Sequence, residues 1–360
     1  MKSWLAAAPA LFLLVVLTGW PSSQPDTGTP TERPLSLTKI PVKNSSHWTG
    51  LTIIFNPDDP WSVFEADLQI ARNWNAPCIQ IQVSYFTRDR QSSKFPVYDR
   101  RSPDDEILLR ALNLARQQTP LLVLHPILLI QDPDSPHWRG QYQPLFPDQW
   151  WNHYQQWMTR MALVAESSGV HLFMAGSELT SLQNESDRWS RTIRAIRQVY
   201  SGQLGYSANW DAWQQVPFHD ELDLLALNGY FPLDWENASR TFPSTKADLR
   251  SRLLPHLSAM QRWTQEHQTP LLFSEVGYPA HSTDLSRPWF SPKVDSQIDG
   301  RLQKEALTAF LDVFGRSGTH CGILFYALHG HDPEVPSGYT PFLRETQGLW
   351  IRTFSESSQP

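Results

Sequence analysis

The chain is 360 residues long, has a net charge of −6 and is only 18% charged. No basic patch or stripe runs through it, which argues against nucleic acid as a partner. Its 16 Trp, 17 Phe and 10 Tyr make it aromatic-rich; such rings mostly fill cores, and the remainder suit stacking on the apolar faces of sugars.

Lys2 precedes an apolar run over residues 5–17 that has the length and flank of a signal-peptide h-region. Extended over residues 4–20 the run nears the lower limit for spanning a bilayer, so an uncleaved membrane tether is the alternative. Either way residues 1–24 read as an export segment, and the folded part is expected in the periplasm or outside the cell. Residues 25–46, rich in Pro, Ser and Thr and without periodicity, read as a flexible linker. Residues 47–355 read as one domain, expected to act as a monomer.

In that domain, short apolar runs alternate with segments of helical period. Strands are expected at 50–55, 78–85, 121–125, 171–175, 204–209, 222–230, 270–274 and 322–328. Helices are expected between them. The second starts at Ser102-Pro103-Asp104-Asp105, an N-cap with proline in the first turn. The helix over 147–168 carries Trp150, Trp151, Tyr154, Trp157, Met158 and Met161 at helical spacing, a stripe better suited to packing on a sheet than to binding ligand. Strict alternation with no repeat unit and no second domain predicts an α/β fold, a (β/α)8 TIM barrel. In such a barrel the first strand separates Cys78 from Cys321 by roughly 9–10 Å of backbone at normal strand spacing, beyond disulfide reach. Both are expected to be free thiols.

Glu178 ends the run Phe173-Met174-Ala175-Gly176-Ser177, and Glu275 ends Leu271-Leu272-Phe273-Ser274. These positions are the C-terminal ends of strands four and seven, on the face where barrels of this kind do chemistry. Two carboxylates on one rim suit glycoside hydrolysis, one as acid and the other as base or nucleophile. At the spacing of retaining enzymes, about 5–5.5 Å, Glu275 would attack the anomeric carbon and Glu178 would serve as acid and then base. The plain alternative is a salt-bridged rim glutamate, against which the presence of two at matching strand ends weighs.

Several stretches in order resemble glycoside hydrolase family 113. They are Trp138-Arg139-Gly140, Trp150-Trp151-Asn152-His153-Tyr154, Phe173 to Leu179, Gly205-Tyr206-Ser207-Ala208-Asn209-Trp210, Leu222 to Pro232, and Phe273-Ser274-Glu275-Val276-Gly277-Tyr278. The resemblance covers most of residues 50–330. It implies a retaining β-mannanase-like hydrolase with Glu178 as acid/base and Glu275 as nucleophile. It also implies that Tyr230 hydrogen-bonds the nucleophile and that mannan or a related β-linked polysaccharide is the substrate; a further reading keeps hydrolysis but makes the substrate a self-made exopolysaccharide. Trp138, Trp210, Tyr278 and Tyr326 are candidate sugar platforms, and His125, Arg139 and Asn209 candidate hydroxyl binders. Where much of the wider clan has Asn before the acid/base, this chain has Ser177, a shorter group beside the sugar. No cofactor is expected, and His329-Gly330-His331-Asp332 reads as a loop, not a metal site, for want of a partner motif. The rival from another class is a non-catalytic polysaccharide-binding barrel tethered at the cell envelope.

Overall fold

A computed structural model describes residues 48–132, 134–233, 246–280, 285–289, 300–329, 338–339 and 344–357. The expected export segment, linker and most of the His329–Asp332 loop lie outside them. Eight parallel strands close into a barrel in sequence order: β1 (Gly50–Phe55), β2 (Cys78–Thr87), β3 (Leu121–Ile130), β4 (Leu172–Ser177), β5 (Gln203–Ala208), β6 (Leu224–Asn228), β7 (Leu271–Val276) and β8 (Ile323–Leu328). β8 pairs with β1 and closes the ring. Helices α1 (Trp61–Asn73), α2 (Asp105–Arg116), α3 (Pro147–Ser167), α4 (Ser186–Arg197), α5 (Lys246–Glu266) and α6 (Gly300–Phe314) cross between strands, and α7 (Arg344–Ser357) follows β8. The fold is the predicted (β/α)8 barrel.

The differences from the sequence reading are local. α2 is capped by Asp104, whose side chain accepts from Ile107 N at 2.8 Å, so Pro103 lies before the cap and not in the first turn. β3 runs five residues past His125, through Pro126. A proline is tolerated there because β3 pairs with β4 only at Val123 and Leu124, so Pro126 has one strand neighbour and its missing N–H costs no bond on the open side. α7 is an unanticipated element. It lays Trp350 on Phe325 of β8, ring centroids 4.2 Å apart, and buries Leu349 and Phe354. Cys78 and Cys321 are free.

The barrel interior changes character along the strands. Near the N-terminal end Cys78, Val123, Leu172, Leu224, Leu272 and Leu324 make an apolar plug. Two residues further along the same strands, on the same inward face, stand Gln80, His125, Met174, Ala226, Ser274 and Tyr326. Asn228 follows Ala226 by the same step. The lumen therefore passes from a sealed floor to a polar layer under the C-terminal mouth. Most of the large rings lie in the outer belt between strands and helices. There Trp150 stacks on Tyr154 at 4.8 Å and Trp189 stacks on Phe218 at 4.7 Å.

Candidate active site

The two glutamates sit at irregular strand ends, Glu275 within β7 and Glu178 just past β4. The β4–β5 register shifts between Met174 and Ser177, and the β7–β8 register shifts between Phe273 and Val276. Shifts of this kind turn a side chain that simple alternation would send outward. Ser274 faces inward, yet its neighbour Glu275 also reaches the lumen, where Tyr230 OH donates to its Oε2 at 2.8 Å. Glu178 has φ of +51°, a left-handed conformation that costs a non-glycine residue about 1 kcal/mol or more. Its N–H donates to Ser207 O at 2.7 Å, and the next N–H donates to Tyr206 Oη at 3.1 Å, which together hold the bend.

The aromatic stripe of α3 supports this bend from outside. Tyr154 OH donates to Ala175 O at 2.7 Å. A Cβ on Gly176 would come within 2.6 Å of that hydroxyl and 3.0 Å of the Trp189 ring, so only glycine lets β4 lie this close. The aromatic richness of the chain thus contributes to site geometry through packing behind Glu178.

Both carboxylates are buried, Glu178 at 6% and Glu275 at 2% exposure. Donors occupy both oxygens of Glu178: Asn228 Nδ2 reaches Oε1 at 2.6 Å and Arg139 Nη2 reaches Oε2 at 2.6 Å. Glu275 Oε1 has no hydrogen-bond partner among the described residues and lies 4.0 Å from His125 Nδ1. Burial first, and the charge of Glu178 second, push the Glu275 carboxyl up to about 7, while Arg139 and the Tyr230 hydroxyl pull it back. Burial, then Arg139, push His125 down to about 3, so its imidazole is neutral at physiological pH. Burial opposes the charge on Arg139, but Glu178 and then Glu275 outweigh it. The site combines one fixed cation, two carboxyls and one affordable proton between them near neutral pH.

Other expected site residues are less uniform in placement. Ser177 is buried beside Glu178, and its Oγ has no partner among the described residues. His125 likewise leaves both ring nitrogens unpartnered under the mouth. Tyr326 is half-buried, edge-on to Tyr230 at 6.1 Å and hydrogen-bonded to Gln82. Trp138, 39% exposed, folds its ring over Gly140, where an added Cβ would lie 2.4 Å from it. Asn209 donates to Asp211 Oδ1 at 2.6 Å. Trp210 is half-buried and lies nearly parallel to the exposed ring of Trp289 at 5.6 Å.

Tyr278 does not fit its expected role. It has no exposed surface, sits in the belt between barrel and helices, and donates its hydroxyl to Phe231 O at 3.4 Å. A ring enclosed there offers no face to a sugar. Sequence reasoning in turn missed Asn228, Ser207, Ser274, Gln82 and Trp289. For Asn228 the signal was available, since it lies two residues before Tyr230 and strand parity puts both on one face.

The sequence profile of Glycoside Hydrolase Family 113 matches residues 62–328. No curated protein matches the sequence. Among solved structures, the chain is similar to the family 113 β-mannanase AaManA from Alicyclobacillus acidocaldarius, with a TM-score of 0.76, 18% identity and coverage of 88% of this chain and 99% of that one. A family 113 β-1,4-mannanase matches with a TM-score of 0.73 at 16% identity, covering 87% of this chain and 100% of that one. A β-glucuronidase from Ruminococcus gnavus matches with a TM-score of 0.57 at 13% identity, covering 87% of this chain and 50% of that one.

Proposed function

Since the chain belongs to glycoside hydrolase family 113, we propose that it cleaves a β-linked polysaccharide of the mannan class by double displacement. Glu275 is the nucleophile and Glu178 the acid/base. The observation that carries this reading is the pair of buried carboxyls at the ends of β4 and β7, each oriented by its own donors. Glu275 forms a bond to the anomeric carbon as the bond to the leaving oxygen breaks, and that oxygen takes a proton from Glu178. Water then gives a proton to Glu178 while its oxygen bonds to the same carbon. The ester to Glu275 breaks, and both groups return to their starting state.

Two contacts support this division of labour. Tyr230 supports the negative charge that Glu275 must carry to attack. Glu178 lies at the irregular end of β4, beside the loop that carries Arg139. Mannan is favoured because both family 113 neighbours are described as mannanases. The Trp210–Trp289 pair adds an aromatic wall suited to further sugar units.

Purified protein should release reducing sugar from β-mannan and glucomannan and little from xylan or β-glucan. Proton NMR of the first product formed should show the β-anomer, and an α-anomer appearing first would sink double displacement. Silence on every polymer with binding retained would favour a binding barrel.

Tyr230→Phe should lower kcat/KM by about tenfold to a hundredfold, the worth of a hydrogen bond to a charged group. The hydroxyl pulls the Glu275 pKa down, so its loss should move the acid limb of the pH profile to higher pH. A loss of rate with an unmoved acid limb would show that Tyr230 acts on something other than the nucleophile.

A further inference from the structure

We propose that Ser207 and Ser274 are positioning residues which lock the Asn228 amide and thereby confine the proton donated by Glu178 to its Oε2. The inference rests on the two-glutamate reading above.

Ser207 on β5, Asn228 on β6 and Ser274 on β7 have no exposed surface. Both hydroxyls donate to Asn228 Oδ1 at 3.0 Å, and they lie 2.8 Å from each other. Gln80 Nε2 braces the assembly from β2, donating to Ser274 O at 3.0 Å and to Thr52 Oγ1 at 2.9 Å. The hydrogen-bond network decides which way an amide points, and here proton counting settles it. Oδ1 has two lone pairs and the serines bring two protons, so every hydroxyl proton finds an acceptor.

With the amide reversed, its two N–H bonds would face the hydroxyl oxygens. One hydroxyl proton could pass to the other serine, and the second would have no acceptor within the triangle. A buried donor left that way carries a desolvation penalty. Reversal would also set Oδ1 against Glu178 Oε1.

The consequence falls on the acid/base. Asn228 Nδ2 points an N–H at Oε1 from 2.6 Å, so a proton on that oxygen would meet another donor. Arg139 donates to Oε2 in the free enzyme, so the acid proton occupies Oε2 only once Arg139 has left it, while the locked Asn228 amide keeps Oε1 closed. Substrate must displace Arg139 from Oε2 before catalysis. The Oε2–H bond then breaks, its proton bonds to the leaving oxygen, and the electron pair of the glycosidic bond goes to that oxygen.

The test compares 2,4-dinitrophenyl and phenyl β-mannobiosides, using kcat/KM, which reports steps through glycosidic cleavage. Dinitrophenolate departs without a proton; phenolate needs more help. The Ser207→Ala/Ser274→Ala double variant should lose about tenfold or more on the phenyl substrate and less than about threefold on the dinitrophenyl one, as expected of impaired acid catalysis. Ser274→Ala alone should show a smaller loss of the same kind, which keeps the test open if the double variant does not fold. Ser274→Thr should restore the wild-type ratio. In an Asn228→Ala background the serine substitutions should add nothing.

Equal losses on both substrates, no loss on either, or an unchanged serine effect without Asn228 would overturn the proposal. Wild-type protein that cleaves neither substrate, or a Glu178→Ala variant as active as wild type on the phenyl substrate, would remove the two-glutamate reading and this inference with it. A Glu178-dependent enzyme with unmoved serine ratios would remove this inference alone.

Discussion

Glu275→Gln is expected to abolish hydrolysis while making the fold more stable. The loss of activity follows from chemistry: an amide cannot form the glycosyl ester, and deleting a covalent nucleophile costs roughly 10⁴-fold or more. The gain follows from burial. In the folded chain the Glu275 carboxyl is raised from 4.5 to about 7, with burial the leading cause and the charge of Glu178 the next. A folded-state pKa above the unfolded value means that the fold disfavours the ionised form. The penalty is absent below about 4.5, grows as pH rises, and is complete above about 7. Thermal melts should therefore show the variant above wild type at pH 8, with the gap closing towards pH 4. A gap that is the same at both would mean that ionisation is not its source. The same carboxyl sets the acid limb of wild-type activity, since attack requires its ionised form: kcat/KM should fall on the acid side as Glu275 takes up its proton.

The barrel was legible in the sequence because buried parallel strands are continuous apolar runs and the helices between them have a clear period. The ends of those runs were also enough to place Glu178 and Glu275 at the C-terminal ends of β4 and β7. What alternation alone could not supply was the orientation of Glu275. Ser274 and Glu275 both face the lumen, and two consecutive inward residues require a register shift that depends on β8 as well as β7. Tyr278 was misread for a related reason: counting from Glu275, it lies three residues on and faces the helices. Parity applied after the irregularity would have placed it correctly. The Ser207–Asn228–Ser274 triangle joins three strands, and no single segment carries a sign of it. Arg139 was visible as a polar residue near a tryptophan, but its pairing with Glu178 depends on how the loop after β3 returns over the mouth.

Glu178→Ala is expected to separate the two halves of the reaction. On polysaccharide, whose sugar leaving group needs protonation, kcat/KM should fall by about 10²- to 10⁴-fold, the usual worth of a general acid. On a dinitrophenyl β-mannobioside the first half needs no proton, so the glycosyl ester on Glu275 should form and accumulate. Its hydrolysis would then lack the base that activates water. Azide, already an anion, needs no base and should restore turnover, giving a glycosyl azide with β configuration. The substitution also has an electrostatic consequence that a packing defect would not produce. Glu178 raises the pKa of Glu275 by its charge, while Arg139 lowers it. Without Glu178, Arg139 is left with Glu275 as its acidic partner in the site. The nucleophile should then ionise more readily, and the acid limb should move to lower pH. Tyr230→Phe is expected to move the same limb the other way. Opposite displacements would place both residues on one carboxyl, one through charge and one through a hydrogen bond. No azide product together with an unmoved limb would remove Glu178 from the chemistry.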